Sequence, residues 1–202
     1  MHLLAGREKM ITKLEVRRKA FHLCLGMIIA LLFYNGVIGL GFMALTSFFG
    51  MAISFACSRF KIPFISFCLD KFERQKNMKN PGMGIILFFA GCFFAMVLFE
   101  RDIAIASILI LSIGDSFSHI IGAHMGKIKH PWNSAKNMEG SFIGFVLAAM
   151  AAYPFAGAAA IAGSFAAMFI ESFDLRIGRF AIDDNLTVPI VAGAVIAAFS
   201  LL

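Results

Sequence analysis

Seven apolar runs separated by short polar segments set the pattern of the chain, at 20–34, 37–57, 82–99, 103–122, 141–153, 155–170 and 186–202. None shows the strict apolar–polar alternation of a half-buried strand, so each reads as a helix. At ~1.5 Å per residue the longer runs cross a ~30 Å hydrocarbon core and the shorter ones barely do. The pattern therefore predicts an all-α polytopic membrane protein of about seven transmembrane helices, with residues 1–202 forming a single domain. The junction at Tyr153-Pro154 is also compatible with a hairpin that stays within the membrane. The alanine- and glycine-rich stretch 156–167 predicts close helix packing, because small side chains let backbones approach.

The polar segments are unequal. Segments 1–19 and 58–81 carry six Lys/Arg each, 123–140 carries three and 171–185 two, whereas the alternate connections hold only Arg101. The positive-inside rule then predicts a cytoplasmic N-terminus and a C-terminus outside. The same partition accounts for the net charge of +6 without a nucleic-acid partner. The basic first segment resembles a secretory signal, but no small-residue cleavage site follows its apolar run, so the run reads as a retained first transmembrane helix. In 61–72, Ile65, Cys68, Leu69 and Phe72 share a helical face flanked by basic residues, the pattern of an interfacial anchor. Composition agrees: 60% hydrophobic residues, 15% charged and a mean hydropathy of +0.85 exclude an ordinary soluble domain. Cys24, Cys57, Cys68 and Cys92 form no CxxC pair and read as buried thiols.

Polar residues that hydrocarbon disfavours fall on the expected cytoplasmic side, so the site is expected to face the cytoplasm. Asp115, His119, Gly122 and Gly126 follow i, i+4, i+7, i+11 spacing and share one helical face. Asp115 is either a Mg²⁺ ligand or half of a polar pair with His119. Gly122-x-x-x-Gly126-Lys127 is either a packing motif or a helix end where phosphate approaches the backbone beside an ammonium. It is not a P-loop, since Ile128 follows Lys127 and the spacing differs. In Ser134-x-Lys136-x-x-Glu139-Gly140-Ser141, Lys136 can neutralise phosphate oxygens and Glu139 can hold a cation. The same residues could instead be a helix cap and a surface ion pair. Glu171, with Asp183-Asp184-Asn185 at the start of the last helix, exceeds what capping requires and suggests a shared ligand shell. His124 and His130 lack metal-ligand spacing.

These residues resemble the CTP-dependent polyprenol kinase family, which includes dolichol, phytol and farnesol kinases and yeast-type CTP-dependent diacylglycerol kinases. Arg18-Lys19-x-x-His22 is similar to its amino-terminal element. Asp115 through Gly122-x-x-x-Gly126-Lys127 and Ser134-x-Lys136-x-x-Glu139-Gly140 is similar to its nucleotide segment, and Glu171 with Asp184-Asn185-Leu186-x-Val188-Pro189 to its carboxy-terminal one. The related phosphatidate cytidylyltransferases share the SxKxxEG segment, but their closing KD…PxHGGxxDR signature is not reproduced at 183–189. The resemblance implies transfer of the γ-phosphoryl group of CTP to a lipid hydroxyl, with Mg²⁺ and with 1–202 as a membrane-embedded catalytic domain. Metal ligands are then drawn from Asp115, Glu139, Glu171 and Asp184. Gly122, Gly126, Lys127, Ser134, Lys136, Glu139, Gly140 and Asn185 serve the nucleotide. Asp184, Asp115 and Lys136 carry the chemistry, with Asp184 accepting the hydroxyl proton. The expected partners are a lipid alcohol, CTP and membrane lipids, with homodimerisation left open. The competing expectations are a phosphatidate cytidylyltransferase and a small transporter or lipid-binding protein that uses Asp115 as a gating charge.

Overall fold

The computed structural model describes residues 2–59, 82–177 and 180–201. The expected interfacial segment 61–72 lies outside them. Among the described residues, seven helices and two short hairpins succeed one another along the chain. They are α1 (His2–Tyr34), α2 (Leu40–Arg59), α3 (Met83–Leu98) and α4 (Arg101–Met125), then β1 (Lys129–His130) and β2 (Asn133–Asn137). After them come α5 (Met138–Ala156), α6 (Ala159–Glu171), β3 (Arg176–Ile177), β4 (Phe180–Ala181) and α7 (Asp184–Ser200). Within them, Leu40–Cys57, Arg101–Met125 and Met138–Ala156 are long and apolar enough to cross a membrane, and α3, α6 and α7 are shorter apolar helices.

The seven apolar runs thus become seven helices, with two differences at their ends. The first run is the second half of a 33-residue helix, α1, whose basic half continues it without a break. At the other junction, α5 runs through Pro154 to Ala156, and the turn falls at Gly157, whose φ of +55° suits a residue without a Cβ. Pro154 stands in the last turn of α5, where its missing N–H removes one helical bond close to the point at which the helix stops.

The core forms around α4, where 67% of the apolar stretch is buried, against 11% for α2 and 22% for α5. Ala104, Ile105, Ala106, Ile108, Ile110 and Leu111 are all sealed from solvent. The other helices reach α4 closely because small residues line the crossings. A Cβ on Gly26 would sit 1.7 Å from Ser112 Oγ, and one on Gly140 would sit 2.3 Å from the Ser118 carbonyl oxygen. Two buried hydroxyls of α4 are satisfied within the helix, Ser107 donating to Ile103 and Ser112 to Ile108. Residues Ile110–Gly114 form a π-helical turn immediately before Asp115. Such a turn inserts one residue into the i→i−4 ladder and so rotates the next helical turn by roughly 100°.

The alternating up–down course sorts the helix ends. At one end α1 stops at Asn35-Gly36, where Arg101 donates to the carbonyls of Phe33 (3.1 Å) and Tyr34 (2.6 Å). A cation on the last carbonyls of a helix is favourable, which gives Arg101, the lone basic residue of that end among the described residues, a structural role. The other end gathers the middle of α1, the C-termini of α4 and α6, the N-termini of α5 and α7, and both hairpins.

Candidate active site

The charged residues converge on that second end, around a cavity of about 670 Å³ whose lining includes Lys19, Asp115, His119, Lys136, Glu171 and Asp184. A cavity of this size accommodates a nucleotide or comparable ligand. All six belong to one continuous chain of polar contacts. Lys19 of α1 donates to Asp115 Oδ2. On the other oxygen, Asp115 Oδ1 lies 3.3 Å from His119 Nδ1, which is in turn 3.5 Å from Glu171 Oε1. Lys136 Nζ then bridges Glu171 Oε1 at 2.8 Å and Asp184 Oδ2 at 2.9 Å. Lys19 and Asp115, 96 positions apart in sequence, therefore meet in a single cluster.

Each charge is held by an identifiable local cause. The π-turn precedes Asp115, and one helical turn later His119 lies on the same face, its Nδ1 3.1 Å from the Asp115 carbonyl oxygen. Ser116 donates to the Lys19 carbonyl at 3.0 Å and ties α1 to α4 beside the pair. Glu171 is a carboxylate at a helix C-terminus, where the macrodipole disfavours it, and its side chain is only 1% exposed. Lys136 offsets that placement by donating both to the Glu171 carboxylate and to the Glu171 backbone carbonyl. A sequence that violates a local rule in this way usually does so at a functional site.

The hairpin that carries Lys136 is pinned to the end of α6. Trp132 Nε1 donates to Ser172 Oγ (2.9 Å), and its ring stacks on Phe173 at 4.8 Å between centroids. Asn133 donates to the Ser172 carbonyl and to Asp174 (3.2 and 3.3 Å). On the far side, Asn137 Nδ2 donates to the Gly122 carbonyl at 2.7 Å. Lys136 is thus aimed by a rigid support. At the start of α7, Asp183 accepts from the Asn185 backbone N–H at 3.0 Å and caps the helix, which leaves Asp184 to face Lys136.

The electrostatics at the mouth of the site reflect this geometry. Asp184 stands ahead of the apolar stretch 186–202, and burial pushes its carboxyl up to about 6. Lys136 opposes that rise, and the charges of Asp115 and Glu171 add to it. Burial alone would lower the Lys136 ammonium, but Glu171 and Asp184 outweigh it and hold it above the ordinary lysine range. Lys136 is therefore held in its charged form, and Asp184 binds a proton more tightly than an ordinary aspartate.

Of the residues expected from sequence, Asp115, Gly122, Gly126, Lys136, Glu171, Asp184 and Asn185 line the cavity. Lys127, Ser134, Glu139 and Gly140 are not among the lining residues. Glu139, expected as a metal ligand, instead accepts backbone N–H groups of Lys127 (3.0 Å) and Ile128 (3.0 and 3.2 Å) and shapes the loop after α4. Ser134 is exposed on β2. Gly140, and Gly122 against it, serve the contact between α4 and α5: a Cβ on Gly140 would lie 3.0 Å from Gly122 Cα. The amide nitrogen of Asn185 is directed to Asp183 (2.7 Å) and the Gly84 carbonyl (3.3 Å). Two residues outside the expected set join the cluster, Lys19 and His119. Both had a signal, since Lys19 belongs to the Arg18-Lys19-x-x-His22 element and His119 lies one turn after Asp115.

Comparison with known proteins matches nearly the whole chain. The chain is 32% identical to an uncharacterized protein of Methanocaldococcus jannaschii over 186 residues, covering 90% of this chain and 92% of the other, and it belongs to the same family as that protein. It is also 28% identical over 214 residues to CTP-dependent diacylglycerol kinase 1 of Schizosaccharomyces pombe, covering 91% of this chain and 93% of that one. This distant similarity supports the kinase family. No family model matches, and no solved structure does.

Proposed function

We propose that the chain is a membrane-embedded, CTP-dependent lipid-alcohol kinase whose active site is the cavity at this end of the bundle. The observation that carries the reading is Lys136, held between Glu171 and Asp184 at 2.8 and 2.9 Å beside the Lys19–Asp115 pair. Alternating acids and ammoniums at a cavity of nucleotide size are what phosphoryl transfer uses, because that reaction depends on positioning and charge stabilisation. The similarity to a CTP-dependent diacylglycerol kinase supports CTP as donor and a lipid as acceptor.

In this reading the lipid hydroxyl oxygen forms a bond to the γ-phosphorus of CTP. The bond from that phosphorus to the β,γ-bridging oxygen breaks, and CDP leaves. The hydroxyl proton passes to the Asp184 carboxylate, a base whose proton affinity burial raises above that of an ordinary aspartate. Lys136 and Lys19 neutralise phosphate oxygens, and the surrounding packing orients them. Asp115, Glu171 and Asp184 offer oxygen donors of the kind Mg²⁺ prefers. When bound, the ion adds charge neutralisation across the phosphates. The α4–β1 loop and the start of α7, with Gly122, Gly126 and Asn185, frame the nucleotide.

All seven described helices cross the bilayer in this proposal, with the N-terminus and the site on the cytoplasmic side and the C-terminus outside. Two observations support it. The described helices are odd in number, and seventeen Lys/Arg fall in the segments assigned to the cytoplasm against Arg101 in the others. The acceptor is either a diacylglycerol-like lipid or a polyprenol-type isoprenoid alcohol. The deciding experiment offers purified protein in lipid–detergent micelles a panel of diacylglycerol, farnesol, phytol and long polyprenols. Labelled CTP or ATP is supplied, with and without Mg²⁺. A phosphorylated lipid formed with CTP supports the proposal, and one acceptor class should dominate. No labelled lipid from any acceptor would refute it.

A further inference from the structure

Two carboxylate oxygens in the cluster are bound by neither lysine. Lys19 binds Asp115 through Oδ2, and Lys136 binds Glu171 through Oε1. Both atoms, Asp115 Oδ1 and Glu171 Oε2, are buried without a hydrogen bond among the described residues, Oδ1 meeting only His119 Nδ1 at 3.3 Å. The two side chains are only 2% and 1% exposed. A buried polar atom left without a partner costs ~1–3 kcal/mol, more when it is charged, so its retention points to an occupant. The third group is His119, a quarter exposed at the cavity wall, with Nδ1 turned toward both carboxylates. One ligand atom from each of Asp115, His119 and Glu171 lies within 4.8 Å of the other two.

The geometry points to a divalent-cation site made by Asp115, His119 and Glu171 that, through its imidazole nitrogen, favours a first-row transition dication over Mg²⁺. This deepens the proposed kinase reading and takes from it the cavity's role in phosphate binding, while the donor set stands on geometry alone. Mg²⁺ prefers an all-oxygen shell and keeps its waters, whereas a nitrogen donor raises affinity along the first-row series. The scaffold is suited to the task. Asp115 and His119 are one turn apart on α4, Glu171 comes from α6, and Ser118 Oγ donates to Glu171 Oε1 at 3.5 Å. The two lysines temper the site. The carboxylates of Asp115, Glu171 and Asp184 outnumber the ammoniums of Lys19 and Lys136 by only one, so a dication alone binds modestly. Anionic phosphate should then tighten it by drawing the ammoniums onto itself.

The test uses the full-length protein in detergent with Mn²⁺ alone, then with CTP. Electron paramagnetic resonance counts bound ions, and spin-echo spectroscopy reads nitrogen coupling to the metal. The expected result is one Mn²⁺ per chain with a ¹⁴N coupling, displaced by Mg²⁺ only at about tenfold or greater excess. His119→Ala should abolish the coupling and lower affinity about tenfold or more. Glu171→Gln should lower affinity comparably while keeping the coupling at saturating Mn²⁺. His119→Asn, which keeps a polar side chain, is the second variant should the alanine protein misfold. Bound Mn²⁺ without nitrogen coupling, or affinity indifferent to both His119 variants, would overturn the inference. The two readings fail separately. Nitrogen-coupled Mn²⁺ in a protein that labels no lipid sinks the kinase proposal alone, and Mg²⁺-dependent lipid labelling without the coupling sinks this one alone.

Discussion

Lys136 carries two loads, one structural and one chemical, and replacing it with methionine separates them. Its ammonium lies 2.8 Å from Glu171 and 2.9 Å from Asp184. At an effective dielectric of about 20, each contact is worth about 6 kcal/mol of attraction before desolvation is subtracted. Desolvation takes back several kcal/mol per ion, so the useful figure is the penalty for orphaning one partner, about 3–5 kcal/mol for a buried pair. Glu171, 1% exposed, bears most of that penalty, whereas Asp184, 30% exposed, can turn to water. Lys136→Met should therefore destabilise the fold by about 3 kcal/mol. Adding Glu171→Gln removes the orphaned charge and should restore about 2 kcal/mol while activity stays lost. Trp132 is the sole tryptophan and stacks on Phe173 where the Lys136 hairpin meets α6, so its fluorescence reports unfolding at this place. The assay is reversible denaturation in mixed micelles for the single and double variants, with lipid labelling measured in parallel. A loss below about 1 kcal/mol for Lys136→Met, or a double variant less stable than the single, would refute the buried-bridge reasoning.

Three further outcomes rest on the same geometry. Asp184, pushed up to about 6 from an ordinary 3.8, holds a proton in the folded protein that the unfolded chain has released. Its contribution to stability is thus full below 3.8 and lost as pH rises through about 6, while activity needing the carboxylate should rise through the same window. Denaturation and kcat/KM profiles across that range test both slopes, and Asp184→Asn should flatten the stability decline. Glu139→Gln should leave Mn²⁺ affinity unchanged, because Glu139 is bound to the Lys127 and Ile128 backbone, while Glu171→Gln lowers it about tenfold or more. Equal losses in the two variants would return Glu139 to the ligand set. Gly140→Ala would place a Cβ 2.3 Å from the Ser118 carbonyl, so overpacking of about 1–3 kcal/mol should appear in unfolding experiments. Unchanged stability there would mean that α4 and α5 pack less tightly than this distance implies.

The helices were legible in the sequence because apolar runs of this length have few alternatives, and each of the seven runs is helical. The two hairpins were not. Strands of two to five residues, such as Lys129–His130 and Asn133–Asn137, carry too few positions for a period to show. Part of the candidate site was also legible. A buried carboxylate in an apolar run marks Asp115, and an acid at a helix C-terminus marks Glu171. Glu139 shows the limit of motif reading, since its spacing from Lys136 does not reveal that its oxygens turn to the backbone of 127–128 instead. Likewise Gly140 carries the look of a phosphate loop and serves helix packing. Lys19 escaped because its partner lies 96 residues away, a pairing that only the packing of α1 on α4 creates.

The central claim is that the acids and lysines gathered at this end of the bundle move a terminal phosphoryl group onto a lipid hydroxyl. Parallel incubations of purified protein with CTP labelled at the γ- or the α-phosphorus, followed by lipid extraction, test it most directly. Label is expected in the lipid phase from γ-labelled CTP alone, abolished by Asp184→Ala and Lys136→Ala. Label from α-labelled CTP would make the enzyme a cytidylyltransferase, and lipid label from neither would leave this cavity without the chemistry assigned to it.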